Sequence, residues 1–208
     1  TGARASPSAG SWRLWYTRGV SESAGECGRP LESVDILGVR VDDLTLAEAL
    51  DWCAGAIRSG GSHFIVTPNA EFVMRARRDP AFRALLDQSA LSIPDGAGLL
   101  LAGRILGTPL REQVAGTDLV VGLAGRCAAD GWRMYFLGGA AGVAEAAGIA
   151  LKARYPALEV AGSYAGSPGI EAEADVLARI RAAAPVHVLV VAYGAPQQEE
   201  WLARNLSK

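Results

Sequence analysis

The sequence predicts an α/β fold: a Rossmann-like, largely parallel sheet with helices on both faces. From Val34 onward, short β-branched runs alternate with longer Ala-, Leu-, Glu- and Arg-rich segments, the pattern of strands joined by crossover helices. Polar or Gly-rich turns follow the apolar runs, as they do where a strand hands over to a helix. Half of the 208 residues are hydrophobic, a fifth are charged and 25 are Gly. That is enough for a sizeable core without disulfides or metals, and it suits tight strand-to-helix turns.

Residues 1–33 are rich in Ser, Gly, Ala and Arg without sustained periodicity, so they are expected to form a mobile leader, with the folded domain spanning 34–208. Trp12, Trp15 and Tyr16 are the exception, an aromatic cluster able to dock on the protein body or on a membrane surface. Strands are expected at 34–41, 63–67, 90–93, 132–137, 158–163 and 186–193, six in one sheet. The first helix, 45–58, opens on Thr45 with Glu48 three residues later, the reciprocal capping arrangement, and ends before Gly60-Gly61. Further helices are expected over 70–88 with a break at Pro80, then 97–106, 117–129, 140–154, 170–184, and from Gln197.

Charge and composition exclude several functions. A net charge of -2 and a pI near 5.7 give no overall basic field for a nucleic-acid partner. Cys27, Cys53 and Cys127 are odd in number and far apart, which fits neither a disulfide framework nor a CxxC metal site and implies a reducing, cytoplasmic setting. Apolar runs such as Val186–Ala192 are strand-sized, and the first ten residues lack the apolar core of a signal peptide. No His/Asp/Glu group has metal-ligand spacing, so metal-independent chemistry without a cofactor is expected. Walker, GxGxxG and GxSxG signatures are all absent.

In a parallel sheet, ligands bind where the loops leave the C-terminal ends of the strands. Four such loops stand out: Thr67-Pro68-Asn69-Ala70-Glu71, Pro94-Asp95-Gly96-Ala97-Gly98, Leu137-Gly138-Gly139 and Tyr193-Gly194-Ala195-Pro196-Gln197-Gln198-Glu199. Gly138-Gly139 lets the backbone approach a phosphate in front of a helix N-terminus, or simply makes a tight turn. Asp95, held between Pro94 and Gly96, presents a carboxylate that either serves as a general base or caps the next helix. Thr67 and Asn69 offer uncharged hydrogen-bonding groups for sugar hydroxyls, with Asn69 also suited to an N-cap. Gln198 is placed to reach a base or ribose, whereas Glu199 and Glu71 enter helix first turns, which favour carboxylates in any case. His63 and His187 fall near strand starts, the wrong edge for catalysis, and receive no role.

Together with Gly116-Thr117-Asp118-Leu119, Phe136-Leu137-Gly138-Gly139 and the run from Gly194 through Trp201, these loops resemble the WecG/TagA/CpsF glycosyltransferases, family 26, over about residues 34–206. The resemblance implies an inverting, metal-independent transferase. It moves a sugar such as N-acetylmannosamine from a UDP-sugar donor to a polyprenyl-diphosphate-linked acceptor in bacterial cell-surface polysaccharide or teichoic acid synthesis. It also implies Asp95 as catalytic base, Thr67 and Asn69 in the active pocket, and Gly138, Gly139, Gly194, Ala195, Pro196, Gln198 and Glu199 on the nucleotide side.

This sequence departs from the family pattern in several places. Gln113 stands where the family usually has Arg, leaving Arg111 or Arg104 to offset diphosphate charge. Gln197 replaces a common Lys, and Gly162-Ser163-Tyr164-Ala165-Gly166 replaces a usual His-Gly-Tyr-like stretch. Family members continue past Trp201 with a basic amphipathic tail, so that tail is expected to be missing here. With it would go part of the contact with the inner face of the plasma membrane, leaving an apolar face that favours a homo-oligomer. A non-catalytic nucleotide-sugar-binding or scaffolding member of an assembly complex is the alternative that Gln113 and the short ending motivate. A dinucleotide-dependent dehydrogenase is a more distant one.

Overall fold

The computed structural model describes residues 31–207 and, as backbone, the short strand β1 at Arg13–Trp15. Residues 1–12 and 16–30 of the expected leader, Trp12 and Tyr16 among them, lie outside the described residues, as does the Trp15 side chain, while Ser33 at its end begins a strand. In chain order there follow β2 (Ser33–Ile36), β3 (Val39–Asp42), α1 (Leu46–Ser59), β4 (Ile65–Val66), α2 (Ala70–Ala76), α3 (Pro80–Asp87), β5 (Leu91–Ser92) and α4 (Ala97–Ile105). The second half runs α5 (Gly116–Asp130), β6 (Arg133–Gly138), α6 (Val143–Arg154), β7 (Glu159–Tyr164), α7 (Glu173–Ala182), β8 (Val188–Ala192) and α8 (Gln197–Asn205).

The strands form one layer with two sides. β6 pairs in parallel with both β7 and β8, β1 adds antiparallel to β8, and β4 pairs in parallel with β5. Side chains alternate along each strand, and the alternation sorts them into two cores. Phe64, Val66, Tyr135, Leu137, Leu189 and Val191 face one core, with residues of α2, α3, α4, α7 and α8. Ile65, Leu91, Met134, Phe136, Val188 and Val190 face the other, with α1, α5 and α6. Because both groups of parallel strands contribute to both cores, β4–β5 and β6–β7–β8 act as the middle layer of one helix–strand–helix sandwich, the predicted class.

Two expectations are corrected. The six strands do not close into a single hydrogen-bonded sheet. The expected strand over 34–41 is instead the separate antiparallel hairpin β2–β3, turning at Leu37-Gly38 with φ of 54° and 88°. Two consecutive positive φ values make the tight turn whose twist matches a hairpin, and the Asp35 carboxylate accepts the Gly38 N–H at 2.8 Å. The apolar run conceals the turn because Leu rarely occupies that conformation. The hairpin is fastened to β5 by Asp42, which is buried and accepts the Ser92 N–H at 2.7 Å, with Arg40 at 3.3 Å. Burial raises the Asp42 carboxyl above its ordinary range.

The helix starts follow local chemistry. Thr45 and Glu48 form the reciprocal cap of α1, Asn69 accepts from Phe72 N–H at the start of α2, and Asp79 accepts from Phe82 N–H ahead of Pro80. The predicted break at Pro80 is the boundary between α2 and α3. α6 starts at Val143 rather than near 140, because Ala140–Gly142 form a turn in front of it and Gly142 takes the cap position at φ 83°.

Candidate active site

Thr67 follows β4 and Asp95 follows β5, so the parallel pairing of these strands carries both loops to the same end of the pair. The Asp95 N–H donates to Pro68 O at 2.9 Å, and Cβ atoms built at Gly96 and Gly98 would lie 4.0 and 3.3 Å from those of Asn69 and Ala70. A third segment joins them: the Val114 N–H donates to Pro94 O at 2.9 Å, and the Gly116 N–H donates to Asp95 Oδ2 at 3.2 Å. Thr67–Asn69, Pro94–Gly96 and Val114–Gly116 thus form one cluster.

Within it, Asp95 does not cap its own helix. Gly96 holds the cap position of α4 without a side-chain bond, while the Asp95 carboxylate reaches across to the uncapped N-terminus of α5. That contact orients the carboxylate through Oδ2. Partly buried, Asp95 makes no hydrogen bond through Oδ1 among the described residues. Asn69 resembles it in using one end locally: Oδ1 accepts from Phe72, and Nδ2 keeps two donors. Thr67 is 1% exposed, and its Oγ1 has no hydrogen-bond partner among the described residues. Leaving a buried hydroxyl unpaired costs about 1–3 kcal/mol.

The second group lies after β6 and β8, parallel neighbours. Gly138, at φ 102°, would place a Cβ 2.6 Å from the Ala192 carbonyl carbon, so no side chain fits between the two backbones. The Gly139 N–H donates to Ala192 O at 2.9 Å, closing the strand ends together. The turn at Ala140–Gly142, closed by the Val143 N–H donating to Ala140 O at 3.0 Å, then leads into α6, whose Ala144 and Glu145 amides have no intrahelical carbonyl to donate to. On the β8 side, Gln198 accepts the Gly194 N–H at 3.1 Å and donates to Glu199 Oε1 at 2.9 Å. Both Gln198 and Glu199 are fully buried, so they shape the Gly194-Ala195-Pro196 loop from beneath, and the Gln198 amide is committed at both ends.

Arg111 is likewise engaged elsewhere. Its guanidinium contacts Asp43 Oδ2 at 3.0 Å and Glu48 Oε2 at 2.9 Å, joining the α4–α5 connection to the start of α1. Gln113 is exposed beside the buried Val114 that anchors the Asp95 loop. His187 accepts the Arg133 N–H through Nδ1 at 3.0 Å, with burial first and Arg133 second holding its pKa below the ordinary value; His63 stacks edge-on against Trp52. The contribution of Gly116 was not apparent in the sequence, because its bond to Asp95 spans 21 residues and leaves no local signature.

The glycosyl transferase WecG/TagA/CpsF family model matches residues 34–208. Relatives named N-acetylglucosaminyldiphosphoundecaprenol N-acetyl-beta-D-mannosaminyltransferase, from Staphylococcus aureus strains NCTC 8325 / PS 47 and COL, are 33% identical over 171 residues. That stretch covers 81% of this chain and 66% of each relative's length. Matched over nearly all of its described domain, this chain belongs to the WecG/TagA/CpsF glycosyltransferase family.

Proposed function

We propose that the chain is an inverting glycosyltransferase that moves a sugar from a UDP-sugar to a polyprenyl-diphosphate-linked sugar, in the synthesis of a bacterial cell-wall or surface polymer. The relatives' name specifies an N-acetylmannosaminyl group and an acceptor of the N-acetylglucosaminyl-diphosphoundecaprenol type. The observation that carries the reading is Asp95, oriented by the α5 amide through one oxygen and held in one loop cluster with Thr67 and Asn69.

In this reading Oδ1 of Asp95 takes the proton of the acceptor hydroxyl as that oxygen bonds to the anomeric carbon. The bond from the anomeric carbon to the diphosphate oxygen breaks, and UDP leaves with the electron pair. Thr67 Oγ1 and Asn69 Nδ2 hold sugar hydroxyls in the attacking geometry. The Gly138–Gly142 turn and the α6 amides stabilise the departing diphosphate without a divalent metal. Gly194, Ala195 and Pro196 border the nucleotide, with Gln198 and Glu199 keeping that loop in shape. Arg111 braces the connection leading to Gln113.

The test is transfer from a panel of UDP-sugars to a prenyl-diphosphate-N-acetylglucosamine analogue, with and without EDTA. Transfer that survives EDTA is expected. UDP binding with no transfer from any donor would favour a nucleotide-sugar-binding role, and failure to bind UDP by the folded chain would overturn the reading.

A further inference from the structure

α4 carries an apolar face that nothing in the described structure covers. Leu99 and Gly103 point into the core, with Leu100 and Ala102 packed against it, which turns Leu101 and Ile105 outward one helical turn apart. Leu101 is 59% exposed, Ile105 76% and Leu106 47%. Leu37, Met74, Val143, Ile149 and Ile170 are exposed elsewhere, but among the described residues only α4 with its C-cap Leu106 presents three such side chains within six residues. Leaving apolar side chains of this size in water is unfavourable, so their clustered exposure calls for an occupant.

The charges around the face identify one. Arg104 lies between Leu101 and Ile105 and is exposed. α2 packs beside the start of α4, Gly98 against Ala70, on the same side of the strand layer. α2 and the turn that follows it present Met74, Arg75, Arg77 and Arg78, all exposed, above an open groove of about 350 Å³ lined by Glu71, Met74, Arg75, Arg78 and Asp79. Of the two acids, Asp79 is paired to Arg75 at 3.7 Å and caps α3. In a chain of net charge -2, this is a local excess of cations around exposed leucine, isoleucine and methionine. A second copy fits the face poorly, because a two-fold contact through α4 sets Arg104 of one copy near Arg104 of the other.

We propose that the outer faces of α4 and α2 form an interfacial docking surface for an anionic phospholipid bilayer, with Leu101, Ile105 and Leu106 entering the acyl boundary and Arg75, Arg77, Arg78 and Arg104 meeting headgroup phosphates. This rests on the functional reading above for its purpose: α2 and α4 start at Asn69 and Gly96, so docking them sets the Asp95 loop close to the membrane, where a prenyl-linked acceptor resides.

The experiment is co-sedimentation of the full chain with vesicles of phosphatidylcholine alone and of phosphatidylcholine mixed with phosphatidylglycerol, at low and high salt. UDP binding and sedimentation velocity are measured on the same samples. The chain is expected to bind the anionic vesicles, more weakly in high salt, and Leu101→Ser/Ile105→Ser to lower the partition about tenfold or more. Ile149→Ser/Ile170→Ser, on α6 and ahead of α7, is expected to leave it unchanged. Unaltered UDP binding in both variants shows that they fold and reads the nucleotide site independently of the membrane. Absence of vesicle binding, equal binding by the α4 variant, or a parent dimer that the α4 variant converts to monomer would each overturn the proposal, the last in favour of a second copy.

Discussion

Single atoms decide how the proposed site works, and Thr67 is the clearest case. Its hydroxyl is buried without a partner while the rest of the side chain fills the core. Thr67→Val keeps the shape and removes the unsatisfied group, so the melting temperature is expected to hold or rise while transfer falls about tenfold or more. A fall in both would mean that the hydroxyl serves the fold. Gly138→Ala tests the opposite kind of residue: with φ at 102° and the Ala192 backbone 2.6 Å from the new Cβ, it is expected to cost about 2 kcal/mol or more in urea unfolding and to weaken UDP binding. Asp95, Thr67, Asn69 and Gly138 were legible in the sequence because each follows an apolar run that becomes a strand. The commitments of Gln198 and Arg111 were not, since burial of an amide and an ion pair to Asp43 and Glu48 arise from contacts distant in sequence or hidden beneath a loop.

Among the elements, α1 shows how local chemistry and a long-range charge meet. Glu48 closes the cap on Thr45 and also receives Arg111. The Thr45 backbone bond first, and Arg111 next, lower its carboxyl from 4.5 to about 2. A depressed carboxylate contributes stability above the unfolded-state value that is lost as pH falls through the folded-state value. Glu48→Gln is therefore expected to unfold at lower urea than the parent at neutral pH, with the difference shrinking between pH 4.5 and about 2. A difference that does not change with pH would contradict the charge's role. The helices were readable from caps and from Pro80, whereas the β2–β3 hairpin was not, because Leu37 takes a conformation its type seldom adopts.

The whole molecule is a strand layer between two helical cores, and its cysteines report on that closure. Cys53 and Cys127 are buried in the same core, and burial pushes the Cys127 thiol up to about 12. In the folded chain both are expected to resist a thiol reagent and to react only at the rate of unfolding; rapid labelling of Cys127 would show the α5 core to be open. In the proposed function the Asp95 cluster and the Gly138–Gly194 loops hold acceptor and donor for one reaction. The test compares the parent with Asp95→Asn in UDP affinity and in transfer to a prenyl-diphosphate-N-acetylglucosamine analogue across pH. UDP affinity within about twofold and transfer reduced about a hundredfold or more, the range of a lost general base, are expected. Transfer that persists in Asp95→Asn, with the parent's rate and pH profile, would contradict the proposed function.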